Sequence, residues 1–168
     1  MIYSDLESGL RKKIDELEGA ARQAVDLHWQ QHLEANVNSK PEDKWRLNVW
    51  VRRRGDVLEA TWTTFRFIRS SQNTSGNSKV LYTHIPKGRG NSYRYATLAG
   101  RASDSEIEVV WETEQKMAKI RGEYAEIRKA LWYIKRAKKN TLTNESEAQA
   151  SGESKAPDSK ANLEGEMA

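Results

Sequence analysis

Positively charged side chains are concentrated in the middle of this chain, in a segment with the alternating pattern of a sheet. Residues 44–101 contain twelve Lys or Arg against only Asp56 and Glu59, a net charge of +10. A folded segment repels itself at that density, and a polyanionic partner is the usual reason to keep it. The cations predicted to contact phosphates or a groove are Arg52, Arg53, Arg54, Arg66, Arg69, Lys87, Arg89 and Arg94.

Aromatic residues are interleaved with these cations. Trp50 and Tyr93 are the predicted base or sugar contacts, and Phe65 and Tyr82 lie nearby in the sequence. Lys and Arg neutralise phosphates while planar side chains stack on bases, and a β-ribbon can enter a major groove. The alternative is a solvated basic face whose aromatics fill the core.

A short loop at residues 87–91, KGRGN, is a second candidate for phosphate contact. Its two glycines allow close backbone approach, so N–H groups and cations together could cradle an anion. The spacing is not that of a P-loop, which has four residues between Gly and Gly-Lys. An ordinary flexible loop is the alternative.

The sequence gives little support for a catalytic site or a metal site. His28 and His32 have the spacing of a helical metal pair, but Trp29 stands where a zinc protease has Glu, so structural or surface roles are expected. The absence of Cys excludes disulfides and thiolate sites. The acidic run of Glu106, Glu108, Glu112 and Glu114 is interpreted as a solvated helix face. The sequence therefore predicts neither an enzyme nor a bound cofactor or metal.

Residues 5–34 are predicted to form the first helix that positions these groups. An apolar stripe recurs every three or four residues, which is the period of one helix face. Ser4 and Glu7 have the spacing of a capping box. The stripe consists of Leu10, Ile14, Leu17, Ala21, Ala24 and His28.

The middle of the chain switches to a period of two, which predicts three antiparallel strands in a meander. The first strand begins near Trp45, and Gly55 with Asp56 suits a tight hairpin turn. The second spans residues 57–68, a polar connection follows at 70–78, and the third covers 79–85.

A capping box at Ser103 and Glu106 begins a long helix that is predicted to end near Lys138. It carries a seam over about three heptads, formed by Val110, Met117, Ile120, Tyr124, Ile127, Leu131 and Ile134. This seam could pair with the first helix or form a homodimer through the long helices.

The predicted fold class is α+β, a single α-β-β-β-α domain over residues 1–139. Residues 140–168 are predicted to be a disordered acidic tail, which is either inert or folds back on the basic sheet. No apolar run approaches the roughly 18 residues of a membrane span, and the N-terminus lacks signal-peptide features. We therefore expect a cytoplasmic protein with no membrane partner.

The order of these parts resembles the MobI family of conjugative-transfer proteins. The resemblance covers roughly residues 24–137. It rests on a helix ending near residues 27–29, the run WRLNVWVRRRG at 45–55, the strand at 62–67, the run HIPKGRG at 84–90 with Tyr93, and the long helix.

The resemblance implies a non-catalytic role at the origin of transfer, where the protein would help a separate relaxase nick and move DNA. The charge pattern alone indicates only nucleic-acid binding. Two alternatives stay open. One is a protein-interaction module that uses the heptad seam and docks an acidic partner on the basic sheet. The other is an RNA- or single-strand-binding module.

Overall fold

The computed structural model describes residues 2–68 and 79–152, with side chains described in 2–66 and 80–143. Its elements are α1 (Ile2–Val37), β1 (Leu47–Arg54), β2 (Val57–Ile68), β3 (Lys79–His84), α2 (Tyr95–Ala99) and α3 (Ile107–Gly152). This order confirms the predicted α+β class with two helices around a three-stranded meander. The short helix α2, within the segment between β3 and α3, was not predicted.

The sheet is antiparallel in the order β1-β2-β3. Gly55 takes a φ of 56°, which closes the β1–β2 hairpin in the left-handed region that glycine tolerates. Because side chains alternate along a strand, the pairing of Val49 with Trp62 puts both on one face, while Phe65 and Tyr82 pair on the other. The first face is the buried one and carries Leu47, Val49, Leu58, Ala60 and Trp62.

Helix α1 packs its predicted apolar stripe into this core. Ile14, Leu17 and Ala21 are buried, and the His28 Nε2 lies 3.1 Å from the carbonyl oxygen of Leu47. The helix already begins at Ile2, so the prediction that Ser4 caps it was wrong. Ile2 and Tyr3 are already helical, so Ser4 lies within the first turn of the helix rather than before it.

Helix α3 turns its heptad seam toward the core of the same chain. Val110, Met117, Tyr124 and Leu131 are each at most 4% exposed, and Ile120 and Ile127 pack partly buried against them. Six of the seven residues predicted as an interaction surface therefore pack in the core of this chain, and Ile134 lies outside that cluster.

The chain divides into compact units at residues 1–131 and 132–168. The described part of the second unit is the end of α3, where Ile134 lies and where Trp132 and Tyr133 are exposed. Helix α3 ends at Gly152 rather than near Lys138, because Glu, Ala and Gln are good helix formers and continue it. The predicted boundary at residue 140 thus falls within α3, and residues 153–168 lie outside the described part.

Within the described residues, none of the helices combines the length and the apolar character that crossing a bilayer requires.

Candidate nucleic-acid interface

Glu106 joins the start of β1 to the start of α3. Its carboxylate is fully buried and accepts backbone N–H groups from Arg46 at 3.0 Å, Leu47 at 2.7 Å and Ser103 at 3.2 Å. The bond from Ser103 is one half of the predicted capping box, while the Glu106 backbone N–H donates to the Ser103 carbonyl oxygen at 3.0 Å rather than to the Ser103 hydroxyl. Burial raises the pKa of Glu106, while these donors act in the opposite direction. The prediction of a solvated acidic face is wrong here, although Glu108 and Glu112 are exposed.

Glu114 is the second buried carboxylate and the centre of a polar network. It accepts the Trp62 indole N–H at 2.8 Å and the Tyr93 backbone N–H at 2.8 Å, and it pairs with Arg121. The Arg121 Nη1 also donates to the carbonyl oxygen of Ala60 at 3.2 Å. Two buried charges are thereby paired and hydrogen-bonded, which fixes the segment before α2 against β2 and α3.

Tyr93 belongs to this network rather than to the surface. It is 2% exposed, and its hydroxyl accepts the backbone N–H of Trp62 at 3.2 Å. The predicted base or sugar contact at Tyr93 is therefore wrong. Trp50 is 44% exposed and donates its indole N–H to the Thr63 hydroxyl at 3.0 Å, so its exposed ring stays a candidate contact.

The predicted arginine cluster at the hairpin tip is largely paired with carboxylates. Arg52 contacts Glu59 at 2.6 Å. Arg53 contacts Asp15 at 2.6 Å and Glu18 at 2.9 Å, and these hydrogen bonds raise its pKa. Such pairing reduces the charge available to a phosphate.

Arg54 completes that cluster and is exposed. It makes no ion pair with the carboxylates that the structure describes.

The loop around Gly88 takes the compact form that its glycines allow, with φ of 80° at Gly88 and 89° at Gly90. Lys87 donates its ammonium group to the carbonyl oxygen of Gly90, and burial lowers its pKa. Lys87 is thus directed into its own loop, while Arg89 and Arg94 are exposed. Arg69 and the predicted connection at 70–78 lie outside the described residues.

A large open cleft lies beside the start of β1. At this point the β2–β3 ribbon extends beyond the part of β2 that pairs with β1, which leaves a notch in the sheet. Leu47 pairs with Thr64, whereas pairing between β2 and β3 extends to Ile68. The cleft has a volume of about 1430 Å³ and is walled by α1, the loop before β1, both strands of the ribbon and the turn after α2.

The charge of this cleft is one-sided. Four cations line it, and no Asp or Glu is present among the described residues that line it. None of the four makes an ion pair with a carboxylate in the described parts of the chain. They are Lys44, Arg46, Arg66 and Arg101. Only Arg66 was among the predicted site residues.

Aromatic rings and buried polar atoms line the same cleft. His32 lies 5.4 Å from Trp29 and 5.8 Å from Phe65, measured between ring centroids. The His32 Nδ1 and both amide atoms of Asn48 are buried without a hydrogen-bond partner among the described atoms. Burial, followed by the charge of His28, lowers the pKa of His32 to about 4, so the ring is neutral at pH 7.

The two histidines are thus packed in the interior of the domain, at 0% and 3% exposure for His28 and His32. No group of three or more metal-ligating side chains forms among the residues that the structure describes.

The family model for MobI protein matches residues 17–135, which is most of the chain. The chain belongs to the MobI family. The matched range contains every residue around the cleft and all three strands. No curated protein and no solved structure matches it.

Membership identifies this MobI protein as one related to DNA mobilisation and conjugation. MobI is an accessory mobilisation family rather than a known enzyme family.

Proposed function

We propose that this MobI protein is a non-catalytic DNA-binding accessory factor. It acts in the cytoplasm at the origin of transfer, beside a separate relaxase, in conjugative DNA mobilisation. The observation that carries the proposal is the cleft, whose described lining contains Lys44, Arg46, Arg66 and Arg101 and no Asp or Glu. A phosphate backbone is the partner whose charge such a surface complements.

The surrounding surface supports the same partner. Arg54, Arg89 and Arg94 are exposed and make no ion pair with a described carboxylate, so they remain available to flanking phosphates. Four phosphates neutralised in the cleft give a slope of log K against log salt of about −3.6 on duplex DNA. Cations outside the cleft would steepen that slope.

The two buried carboxylates support a role without catalysis. Glu106 is committed to three backbone N–H groups, and Glu114 is committed to Trp62 and Arg121. A general acid or base must exchange a proton with substrate. Both groups instead hold the scaffold that carries the cations.

The protein-interaction alternative loses its main surface, because the heptad seam of α3 is buried in the core of the same chain. A homodimer through that seam would require the core to open. The exposed Trp132 and Tyr133 of the second unit are aromatic candidates for a relaxase contact.

A gel-shift comparison tests the proposal. The full chain is titrated against a duplex carrying the transfer origin and against a random duplex of equal length, at a low and a physiological salt concentration. We expect tighter binding to the transfer origin and a steep loss of affinity with salt. A flat salt response, or equal binding of both duplexes, would contradict the proposal.

A further inference from the structure

We propose that the cleft accepts an unpaired nucleobase, so that the protein recognises a single-stranded or extrahelical nucleotide within its DNA target. The inference rests on the proposed function and adds the strandedness of the substrate. The base enters the notch beside the β2–β3 ribbon, and the phosphates on either side of it contact the cations of the cleft.

The size and shape of the cleft suit this ligand. Its volume of about 1430 Å³ exceeds the roughly 300–1,000 Å³ of an ordinary small-molecule pocket, which leaves space for a nucleotide and its neighbours. A base within a duplex presents only its groove edges, whereas an unpaired base can leave the stack and enter a concave site.

Aromatic rings provide a stacking surface at the cleft. Tyr82 is 51% exposed and lies 6.0 Å from Trp50, which in turn lies 5.8 Å from Trp29. Trp50 and Tyr82 lie on the face of the sheet opposite the core, and Trp29 of α1 contacts Trp50. Trp29 and Tyr82 line the cleft. Aromatic rings next to cations that lack a carboxylate partner are the arrangement by which single-strand-binding proteins hold bases and backbone together.

Asn48 supplies the group that could read a base edge. It is 1% exposed, and neither its amide N–H₂ nor its carbonyl oxygen has a partner among the described atoms. The neighbouring Thr63 hydroxyl is occupied by the Trp50 indole N–H at 3.0 Å. An amide that carries both donors and an acceptor matches the adjacent donor and acceptor of a base edge.

Burying the Asn48 amide lowers the stability of the fold unless a ligand forms hydrogen bonds with it. A buried polar group without a partner destabilises a fold, and an apolar side chain of similar size would avoid that cost. Its amide atoms are covered, so a base reaches them only when neighbouring side chains shift. Side-chain rearrangement of this kind is common at binding sites.

The test uses three fluorescent probes of one duplex sequence. The first carries a single unpaired 2-aminopurine, the second carries an abasic site at that position, and the third is fully paired. We expect the protein to bind the first at least about fivefold tighter than the second, because stacking is lost without a base. We also expect the 2-aminopurine fluorescence to be quenched on binding.

Two tyrosines of equal exposure provide a matched pair of variants. Tyr82 lines the cleft at 51% exposure, and Tyr95 lies outside the residues that line it at 50% exposure. Tyr82→Leu should abolish the preference for the unpaired base, while Tyr95→Leu should keep it. Both substitutions affect exposed rings, so both variants should fold.

A third variant separates a binding role from a structural one. Asn48→Leu removes the unpartnered amide at similar volume, so its thermal midpoint should be equal to or higher than that of the wild type. The preference for the unpaired base should nevertheless fall by about fivefold. A residue with only a structural role would not produce this combination.

Equal, salt-dependent binding of all three probes would overturn the inference and leave the proposed function standing. Identical behaviour of the two tyrosine variants, or an undiminished preference in Asn48→Leu, would also overturn it. Failure to bind any probe would overturn both the inference and the proposed function.

Discussion

Neutralising Arg66 and Arg101 should weaken DNA binding more than neutralising Arg52 and Arg53. The first pair lines a cleft that has no Asp or Glu among its described lining residues. The second pair already contacts carboxylates, at 2.6 Å from Arg52 to Glu59 and 2.6 Å from Arg53 to Asp15. Both double variants, with Gln at each position, remove the same formal charge.

The magnitude follows from counterion release. Each neutralised duplex phosphate contributes about 0.9 to the slope of log K against log salt. Arg66→Gln with Arg101→Gln should therefore reduce the slope by about 1.8. With equal affinities at about 1 M salt, that difference amounts to about 60-fold at 0.1 M and about 20-fold at 0.2 M. Arg52→Gln with Arg53→Gln should reduce the slope by less than about 0.9.

Fluorescence anisotropy on one labelled duplex, over several salt concentrations, measures these slopes. Lys12→Gln with Lys119→Gln is the control for long-range charge, because both lysines are exposed and neither lines the cleft. A thermal melt of each variant checks folding. The reasoning would be refuted if the hairpin pair reduced the slope as much as the cleft pair, or if the cleft pair matched the control.

Three further predictions concern the scaffold. Glu114→Gln should lower the free energy of unfolding by about 3–5 kcal/mol in urea titrations, because it leaves the buried Arg121 charge uncompensated. Glu112→Gln is the control at an exposed site and should change the free energy of unfolding little. Equal effects of the two substitutions would argue against the network. Tyr93→Phe should lower the free energy of unfolding by about 1–3 kcal/mol, because it leaves the buried backbone N–H of Trp62 without an acceptor. DNA affinity should stay unchanged. A loss of DNA affinity without a loss of stability would show that Tyr93 contacts DNA. His32 has its pKa lowered from 6.5 to about 4 by burial, so its contribution to stability is present above pH 6.5 and is lost as pH falls toward 4. The free energy of unfolding of His32→Phe is subtracted from that of the wild type at each pH, which isolates the contribution of His32. A difference that stays constant between pH 6.5 and 4 would contradict the prediction.

The elements of this fold are largely readable from local pattern. The β2 bounds at 57–68, the glycine turn at Gly55 and the seam residues buried on α3 all follow from periodicity and turn chemistry. These properties depend on neighbours a few positions apart, which the sequence displays directly. The end of α3 was mispredicted because residues 141–152 are mostly polar and have no apolar stripe that marks them as helical.

The candidate site could not be predicted in full, because it depends on contacts between residues that are far apart in the sequence. Arg53 meets Asp15 and Glu18 of α1, which are more than 30 positions away, so a count of cations could not distinguish paired from available charge. For the same reason the burial of Glu114, which binds Trp62 from 52 positions away, was not apparent in an acidic run.

The sequence alone therefore determined α1, the three strands and the start of α3, together with the excess of positive charge and the resemblance to the MobI family, because each of these is a property of composition or of local spacing. Only the tertiary structure decided which cations remain available, since ion pairing and burial depend on distances in space. The cleft that unites Arg46, Arg66 and Arg101 exists because α1, the β2–β3 ribbon and the turn after α2 converge on one notch of the sheet.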